Sequence, residues 1–554
     1  MNKKVCSFPI LFALLALLIG TCAVVFPASA QAAPTSTGSI TVSGTVASSY
    51  DAYQIFSANV VDGDSDAKTA TDLVWASDAV RDAALPVLHS AGMPNSRTTA
   101  QEAAEWLNTD SHLTSALSAQ LARSLQSSGA VPVALNAGTT AELPCGYWLI
   151  VADDAAISQN EAGTAPIMAL VGGSAVTVKP KAATPKVSKH VLEDSTAAWQ
   201  KAADATVADD LYWRLSATVP AGLTAYDTYT VRFVDTMSAG LDPSKVAASM
   251  RVYVAAGTDG GFDAVQTCKD GRAGTDPAKG WTDISAQCGV SVDGKTFTVH
   301  TGDLIDVLGG ADAFTAGARV VAVYNAPLNS ACSHGIAKGN PNEVYLRYPR
   351  SPFADQSGDA GFTRTPSDDA CAYTWDLALT KRGSDGDKPL AGAVLSIADD
   401  RGRTLAADGT WDAEGKATVT TGEDGRVTVS GVDSGKLEVR ELKAPKGYTA
   451  FEGTRSVTVK AEGLDVDQVA AAKPKLTITA ESPLRADSAD GSTGSLEASH
   501  INTPTGTPPS ITTGGFMPST GDMAMYAAAA AAVAGAALIV AALLVKRGGG
   551  SHKE

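Results

Sequence analysis

The stretch WDLALTK, residues 375–381, places a charged side chain where an apolar one is expected. Successive side chains of a β-strand point to opposite faces, so Trp375, Leu377 and Leu379 would share one face. Lys381 falls on that same face. Because a buried ammonium costs several kcal/mol unless it is paired or neutralised, the stretch predicts a half-buried strand that ends in a lysine with a buried polar partner.

The same alternation of apolar and polar residues recurs along most of the chain. Turns rich in Gly, Asp and Pro separate the alternating segments, a pattern typical of β-sandwiches. Residues 72–126 differ, because their composition and spacing favour helices. We therefore predict a mainly β protein of tandem β-sandwich domains, the first with added helices. The alternating segments are ITVSGTV, YWLIVAD, LYWRLSATV, YTVRFVD, KTFTVHT, RVVAVYN, EVYLRY, WDLALTK, RVTVSGV and KLEVREL.

Changes in composition divide the 554 residues, which are too many for one globule. The linkers are predicted where Pro, Thr, Ser and Gly accumulate. The predicted divisions are a signal peptide (1–30), an N-terminal domain (35–178), a linker (179–186), a middle domain (187–350), a linker (351–372), a C-terminal domain (373–504), a tether (505–516) and a C-terminal signal (517–554) with a transmembrane segment (523–545).

The overall charge and the scattered histidines exclude several classes of function. The formal net charge is −16 with no basic block outside the two ends, which argues against a nucleic-acid partner. The seven histidines show no metal-ligand spacing, and no nucleophile elbow or phosphate-binding loop is present. We predict no metal, no cofactor and no enzymatic activity on other molecules.

Both ends carry export and anchoring signals. The start is basic, then apolar, and ends in a small-residue site at 28–30, as a secretory signal does. At the other end, the apolar run 523–545 is long enough to cross a membrane and is followed by Lys546 and Arg547. The chain is thus expected to be exported and held at the cell surface by its tail.

A bent peptide, Met517-Pro518-Ser519-Thr520-Gly521, precedes that apolar run. With the run and the basic pair, it resembles the Leu-Pro-x-Thr-Gly cell-wall sorting signal of Gram-positive surface proteins, with Met517 in place of Leu. The resemblance implies that a sortase cysteine attacks the carbonyl of Thr520, releases Gly521 and leaves an acyl-enzyme. It also implies attachment to peptidoglycan by a housekeeping sortase. The alternative is an ordinary single-pass anchor.

The segment VTVKPK, residues 176–181, offers an amine that could receive Thr520. It resembles the pilin motif of sortase-assembled pili, Val-x-Val-Tyr-Pro-Lys, and the motif lysine corresponds to Lys181. Lys179 stands where Tyr is usual and is the competing acceptor. The resemblance implies other copies of this chain, a pilus-specific sortase, and tip and base pilins as partners; no sequence feature names a host receptor. The alternative is a basic linker without a covalent role.

Two sets of Lys, acid and Asn lie on apolar faces in chain order. Burial would lower the pKa of each lysine and raise that of each acid, so that a neutral amine could attack the Asn carboxamide while the acid shuttles protons. Ammonia would leave and an isopeptide bond would join the first strand to the last. An ordinary salt bridge is the alternative in each domain, and Asn340 could replace Asn342. The sets are Lys189, Asp235 and Asn342, and Lys381, Glu441 and Asn502.

These sets resemble the isopeptide sites of Cna-type immunoglobulin-like domains in Gram-positive pilins. KRGSDGDKPLAGAVLSIAD is similar to their first strand and hairpin, LEVRELKAPKGY to their E-box, and FVDTMSAGL and GNPNEVYLRY to the Asp and Asn strands of backbone pilins. AYQIF and CGYWLIVADD resemble pilin N-terminal domains. The resemblance implies a secreted, wall-anchored backbone subunit of a covalent pilus that supports adhesion. The alternative is a monomeric wall-anchored adhesin or minor pilin. In that case Thr520 would be joined to wall peptide only, and not to another copy of the chain.

Five cysteines remain after the predicted signal peptide, and an exported chain permits disulfides. Sequence order suggests Cys268 with Cys288 and Cys332 with Cys371. Four thiols allow three connectivities, and their spacing does not choose among them. Cys145 is left over and is expected to be a small buried side chain.

Overall fold

Burial alternates along the strands of the computed structural model, as the sequence predicts. In the strand Trp375–Gly383, the side chains of Trp375, Leu377 and Lys381 are buried and Thr380 is partly exposed. The mainly β prediction, with tandem domains and helices in the first, is confirmed. The structure describes residues 36–64, 67–109, 111–163, 165–180, 184–257, 280–311 and 317–505.

The N-terminal domain combines two sheets with three helices. Its elements are β1 (Thr37–Val42), β2 (Ser49–Asp62), β3 (Lys68–Trp75), α1 (Asp78–Ser90), α2 (Ala100–Leu107), α3 (Ser115–Ser127), β4 (Val133–Asn136), β5 (Thr140–Pro144), β6 (Gly146–Ala152), β7 (Ile167–Val171) and β8 (Val176–Val178). The sheets have the orders β5-β1-β8 and β3-β2-β6-β7, with β4 on β2. Ser77, Thr99 and Thr114 cap the three helices through their hydroxyl oxygens, which fixes where each helix begins.

The middle domain is a sandwich of two sheets around Trp213, which is fully buried. Its elements are β9 (Lys186–Glu193), β10 (Ala198–Gln200), β11 (Ala202–Asp204), β12 (Tyr212–Val219), β13 (Arg232–Met237), α4 (Val246–Ser249), β14 (Arg251–Ala256), β15 (Thr282–Asp283), β16 (Gly289–Asp293), β17 (Thr296–His300), α5 (Leu304–Val307), β18 (Ala318–Asn325), β19 (Asn340–Pro349), β20 (Phe362–Arg364) and β21 (Asp368–Tyr373). One sheet has the order β10-β9-β12-β18-β14-β15 and the other β11-β21-β19-β13-β17-β16, with β20 on β19.

The segment 351–372, which we predicted as a linker, differs from that prediction. It contains β20 and most of β21, and both strands pair antiparallel with β19. The chain therefore folds back after β19 and extends the sheet of the middle domain before it enters the next domain.

The C-terminal domain is a second sandwich, with Trp375 fully buried in its core. Its elements are β22 (Trp375–Gly383), β23 (Val394–Ala398), β24 (Thr404–Leu405), β25 (Trp411–Asp412), β26 (Val419–Thr420), β27 (Arg426–Val432), β28 (Gly435–Lys443), β29 (Tyr448–Thr449), β30 (Thr454–Glu462), β31 (Lys475–Ala480), β32 (Leu484–Asp490) and β33 (Ser495–Pro504). The sheets are β27-β22-β33-β29, with β32 on β33, and β25-β24-β23-β28-β30-β31, with β26 on β23. The first strand, β22, and the last, β33, are parallel neighbours.

Polar contacts connect the middle and C-terminal domains. The guanidinium of Arg403 donates to both carboxylate oxygens of Asp209, at 2.5 and 2.7 Å. Trp375 Nε1 donates to Asp204 Oδ2 at 2.6 Å. The backbone amide of Val207 donates to the carbonyl of Gly431 at 2.9 Å. Side chains and backbone thus both hold this junction.

Several predictions fall outside the described residues. They concern the signal peptide 1–30, Lys181, Cys268, the motif Met517–Gly521 and the transmembrane segment 523–545. Within the described ranges, no helix has both the length and the apolar character needed to cross a membrane.

Cys332 and Cys371, which sequence order suggests as a disulfide pair, are both free thiols in the structure. The Sγ atom of Cys371 lies 3.7 Å from the carbonyl oxygen of Ala372, inside a core strand. Burial raises the pKa of this thiol to about 11. Cys332 is half-buried and lies against Gly240. Cys288 is also free, and Cys145 is buried as expected.

Candidate functional site

Lys381 lies near the end of β22, beside the last strand of the C-terminal domain. The parallel register places Lys381 opposite His500 and Gly383 opposite Asn502. Glu441 comes from β28 in the facing sheet. The first strand, the last strand and the opposite sheet therefore each supply one of the predicted groups.

The three predicted groups of this domain form one buried cluster. Lys381 Nζ donates to Glu441 Oε2 at 3.0 Å and to Asn502 Oδ1 at 2.7 Å. Asn502 Nδ2 donates to Glu441 Oε1 at 2.9 Å. The backbone amide of Phe451 donates to Glu441 Oε2 at 3.0 Å, which fixes the carboxyl group. Glu441 consequently touches the amine and the amide at the same time.

His500 is a fourth member of this cluster that the sequence analysis did not identify. Its Nδ1 contacts Lys381 Nζ, and its ring centroid lies 4.4 Å from that of Phe451. Its Nε2 is buried without a hydrogen-bond partner among the described residues. Burial and the neighbouring charge of Lys381 lower the pKa of His500 to about 3, so the imidazole is neutral.

Burial also changes the protonation of Lys381. It lowers the pKa of this lysine to about 8, although Glu441 acts in the opposite direction. A lysine with this pKa exposes a neutral amine far more often than a surface lysine does. Its Nζ already contacts the oxygen bonded to the Asn502 amide carbon. The cluster thus holds an amine with a lowered pKa in hydrogen-bond contact with a carboxamide.

The second cluster spans the two sheets of the middle domain. Lys189 lies on β9, between β10 and β12. Asp235 lies on β13 and Asn342 on the neighbouring β19, in the facing sheet, where Met237 pairs with Asn342. Lys189, Asp235 and Asn342 are completely buried. The packing of the two sheets therefore brings the predicted groups together.

The hydroxyl of Tyr324 connects the groups of this second cluster. Lys189 Nζ forms an ion pair with Asp235 Oδ2 and donates to the Tyr324 hydroxyl at 2.8 Å. The hydroxyl donates to Asp235 Oδ2 at 3.0 Å, and Asn342 Nδ2 donates to the hydroxyl at 2.8 Å. Asp235 Oδ1 and Asn342 Oδ1 are buried without partners among the described residues.

Burial shifts both ionisable groups of this cluster towards their uncharged forms. Burial lowers the pKa of Lys189 to about 8, against the effect of Asp235. Burial also raises the pKa of Asp235, against the effects of Lys189 and Tyr324. The two shifts bring the amine and the acid closer in proton affinity, so that moving a proton between them costs less than it would in water.

The structure places Asn340 outside this cluster. Its Oδ1 accepts from the backbone amide of Ser333 at 2.8 Å, and its Nδ2 donates to the carbonyls of Ser333 and Ala372 at 2.9 and 3.2 Å. These bonds hold a turn against β21. Asn342, and not Asn340, therefore faces Tyr324.

Tyr324 and His500, which the sequence analysis did not identify, both lie at inward positions in the alternating pattern of their strands. Tyr324 shares a face with Val320 and Ala322, and His500 shares a face with Ala498 and Asn502. Each is a polar side chain at an inward position. The same pattern is common for aromatic residues that only fill a core, so the alternation alone does not assign them to a site.

Residues 376–473 match the SpaA family of prealbumin-like fold domains. The match includes Lys381 and Glu441 and ends before Asn502. A curated relative, the trypsin-resistant surface T6 protein of Streptococcus pyogenes serotype M6, is 30% identical over 143 residues, which are 24% of this chain and 24% of that protein. The chain thus matches about a quarter of the length of this relative.

Solved structures of pilins are also similar to this chain. The T6 backbone pilin of serotype M6 Streptococcus pyogenes has a TM-score of 0.46 and 16% identity, over 86% of this chain and 100% of that one. The full-length major pilin SpaD from Corynebacterium diphtheriae has a TM-score of 0.42 and 14% identity, over 86% of this chain and 100% of that one.

Proposed function

We propose that this protein is the structural backbone subunit of a covalently polymerised surface pilus, stabilised by an isopeptide bond in each of its two sandwich domains. The observation that carries the proposal is the pair of buried clusters, each with a lysine, an acid and an asparagine. A functionless salt bridge needs no asparagine, whereas an amide bond needs the carboxamide as its electrophile. The match of residues 376–473 to the SpaA family of prealbumin-like fold domains, and the 30% identity to the T6 surface protein over 143 residues, support the same conclusion.

The clusters join distant parts of the chain. In the C-terminal domain, Lys381 and Asn502 are 121 residues apart in sequence and belong to the first and last strands. An isopeptide bond between them replaces a buried charge with a neutral amide. It also closes a long loop, which restricts the unfolded chain as a disulfide does.

Subunits are joined, in this proposal, between Thr520 of one copy and Lys181 of the next. A pilus-specific sortase forms the acyl-enzyme at Thr520, and the lysine amine of the next copy resolves it. A housekeeping sortase transfers the base of the fibre to peptidoglycan. Lys179 remains the alternative acceptor; it is exposed two residues before Lys181 and follows β8 directly.

Polymerisation is tested by immunoblots of boiled, SDS-treated wall extracts from cells that express the sortase. Wild type is compared with Lys181→Ala and Lys179→Ala, and exposed Lys186→Ala is the matched control. We expect a high-mass ladder that collapses to monomer in Lys181→Ala only. Loss of the ladder in Lys179→Ala alone would identify Lys179 as the acceptor. A single monomer band in wild type would refute the backbone assignment and favour a monomeric wall-anchored adhesin or minor pilin.

Internal bond formation is tested by the intact mass of the purified extracellular domains. Each bond lowers the mass by that of one ammonia molecule. The wild-type protein is therefore expected to be lighter than its sequence mass by two ammonia molecules. Asn342→Ala and Asn502→Ala should each retain one of the two losses. An unchanged mass in wild type would refute the isopeptide part of the proposal.

A further inference from the structure

The Tyr324 hydroxyl is the meeting point of the middle-domain cluster. Tyr324 is 1% exposed, and its ring lies edge-on to that of Phe297 with centroids 4.7 Å apart. A phenol has one proton to donate and two lone pairs to accept with. Here it donates to Asp235 and accepts from Lys189 and Asn342. One oxygen therefore touches the attacking amine, the acid and the amide nitrogen that would leave.

In the C-terminal cluster, the lysine amine and the asparagine amide nitrogen are connected without a tyrosine. Glu441 bonds to Lys381 Nζ through Oε2 and to Asn502 Nδ2 through Oε1, so the carboxyl group itself links amine and leaving nitrogen. Asp235 has one methylene fewer than a glutamate. It contacts Lys189 and Tyr324 but makes no hydrogen bond to Asn342 in the described structure. In the middle domain the hydroxyl fills the gap that the shorter acid leaves.

We propose that Tyr324 is a catalytic residue for the Lys189–Asn342 bond, where it relays a proton between the two nitrogens. This inference rests on the proposed function, because it presupposes that the bond forms. The phenol is suited to the task since it can accept a proton on its oxygen while it gives its own proton away.

The steps balance without an external reactant. The Lys189 ammonium first gives one proton to Asp235 across their ion pair, which leaves a neutral amine. The amine nitrogen attacks the Asn342 amide carbon and forms the new C–N bond. A second proton passes from Nζ to the Tyr324 oxygen and from the Tyr324 oxygen to Nδ2. The carbon–Nδ2 bond then breaks and ammonia leaves.

The test is bond formation in Tyr324→Phe, which keeps the ring and removes the hydroxyl. The extracellular domains are made by cell-free synthesis and quenched at intervals. The Lys189–Asn342 and Lys381–Asn502 cross-linked peptides are then quantified by mass spectrometry. We expect the first bond to form about 10²-fold more slowly and the second at the wild-type rate, so the second bond is an internal control.

Two further variants separate the relay from a folding defect. Tyr348→Phe removes another buried hydroxyl of the same domain, one without a hydrogen-bond partner among the described residues, and should leave both rates unchanged. Asp235→Glu combined with Tyr324→Phe provides a carboxyl group of the length found at Glu441. We expect it to restore the Lys189–Asn342 bond at least in part.

The outcomes distinguish the relay from the proposed function. A wild-type rate in Tyr324→Phe, or no restoration by the added Asp235→Glu, would overturn the relay and leave the bond itself standing. Absence of the Lys189–Asn342 peptide in wild type would instead refute the middle-domain bond of the proposed function, and the relay with it.

Discussion

Replacing Glu441 with glutamine should prevent the proposed isopeptide bond of the C-terminal domain, because glutamine has nearly the same shape as glutamate but no carboxyl group. The amide of Gln still accepts from Lys381 and from the Phe451 backbone, but it cannot take up and return a proton. The intact mass of Glu441→Gln should therefore exceed the mass calculated for the same variant with both bonds by that of one ammonia molecule.

The lost stability follows from the loop that the bond closes. Lys381 and Asn502 are 121 residues apart, and the chain-entropy relation for disulfides gives about 5 kcal/mol for a loop of this size. With an unfolding entropy of roughly 2 cal/mol/K per residue, the midpoint of the C-terminal domain should fall by roughly 15–20 °C. Calorimetry of the extracellular domains measures this shift.

Glu438→Gln is the matched control for this experiment. Glu438 lies on the same strand, faces solvent and makes an exposed 3.1 Å salt bridge to Lys436, so its loss should change the midpoint by only a few degrees at most. Our reasoning is refuted if wild type shows the ammonia loss at this site and Glu441→Gln, with the bond absent, unfolds at the same temperature.

Three other predictions follow from the described contacts. Lys381 faces Glu441 and His500, and its pKa is about 8. Because only the neutral amine attacks, the rate of bond formation at Lys381 should rise about tenfold per pH unit up to about pH 8 and then level off. A rate that does not change with pH in quenched cell-free synthesis would contradict this. Asn342→Ala should abolish the Lys189 cross-linked peptide. Asn340→Ala should retain it, since Asn340 is hydrogen-bonded to Ser333 and Ala372 instead. The reverse result would identify Asn340 as the electrophile. Arg403→Ala should weaken the junction between the middle and C-terminal domains by about 1–3 kcal/mol and speed hydrogen exchange at the Val207 amide. The control Arg426→Ala, which removes an exposed salt bridge to Glu497, should not change that exchange. Equal exchange in both variants would show that the Arg403 contact is dispensable.

The alternation of the strands placed the lysines, the acids and Asn502 on inward faces, and it left Asn340 and Asn342 as alternatives in the middle domain. A charge on an apolar face is rare, so Lys189 and Lys381 stood out without any knowledge of the fold. The choice between Asn340 and Asn342 was not accessible, because residues two apart share a face. Only the turn that bonds Asn340 to Ser333 separates the two.

Other features depend on tertiary contacts that a single strand does not encode. β20 and β21 are short and lie among Pro, Gly and Asp residues, so the segment reads as a linker until β19 is available to pair with it. Tyr324 and His500 look like ordinary core residues, and their roles depend on which side chain approaches from the facing or neighbouring strand.

The parallel pairing of β22 and β33 decides which part of the C-terminal domain would carry tension in a fibre. The chain enters the domain at Trp375 and leaves it after Pro504. With the proposed bond in place, force passes along 375–381, crosses the new amide and continues from Asn502. The 120 residues in between, 382–501, lie outside this load path. Apart from Glu441, on which formation of the bond depends, these residues would then be free to form loops and surfaces that vary without weakening the fibre, and the domain would behave as a short inextensible link.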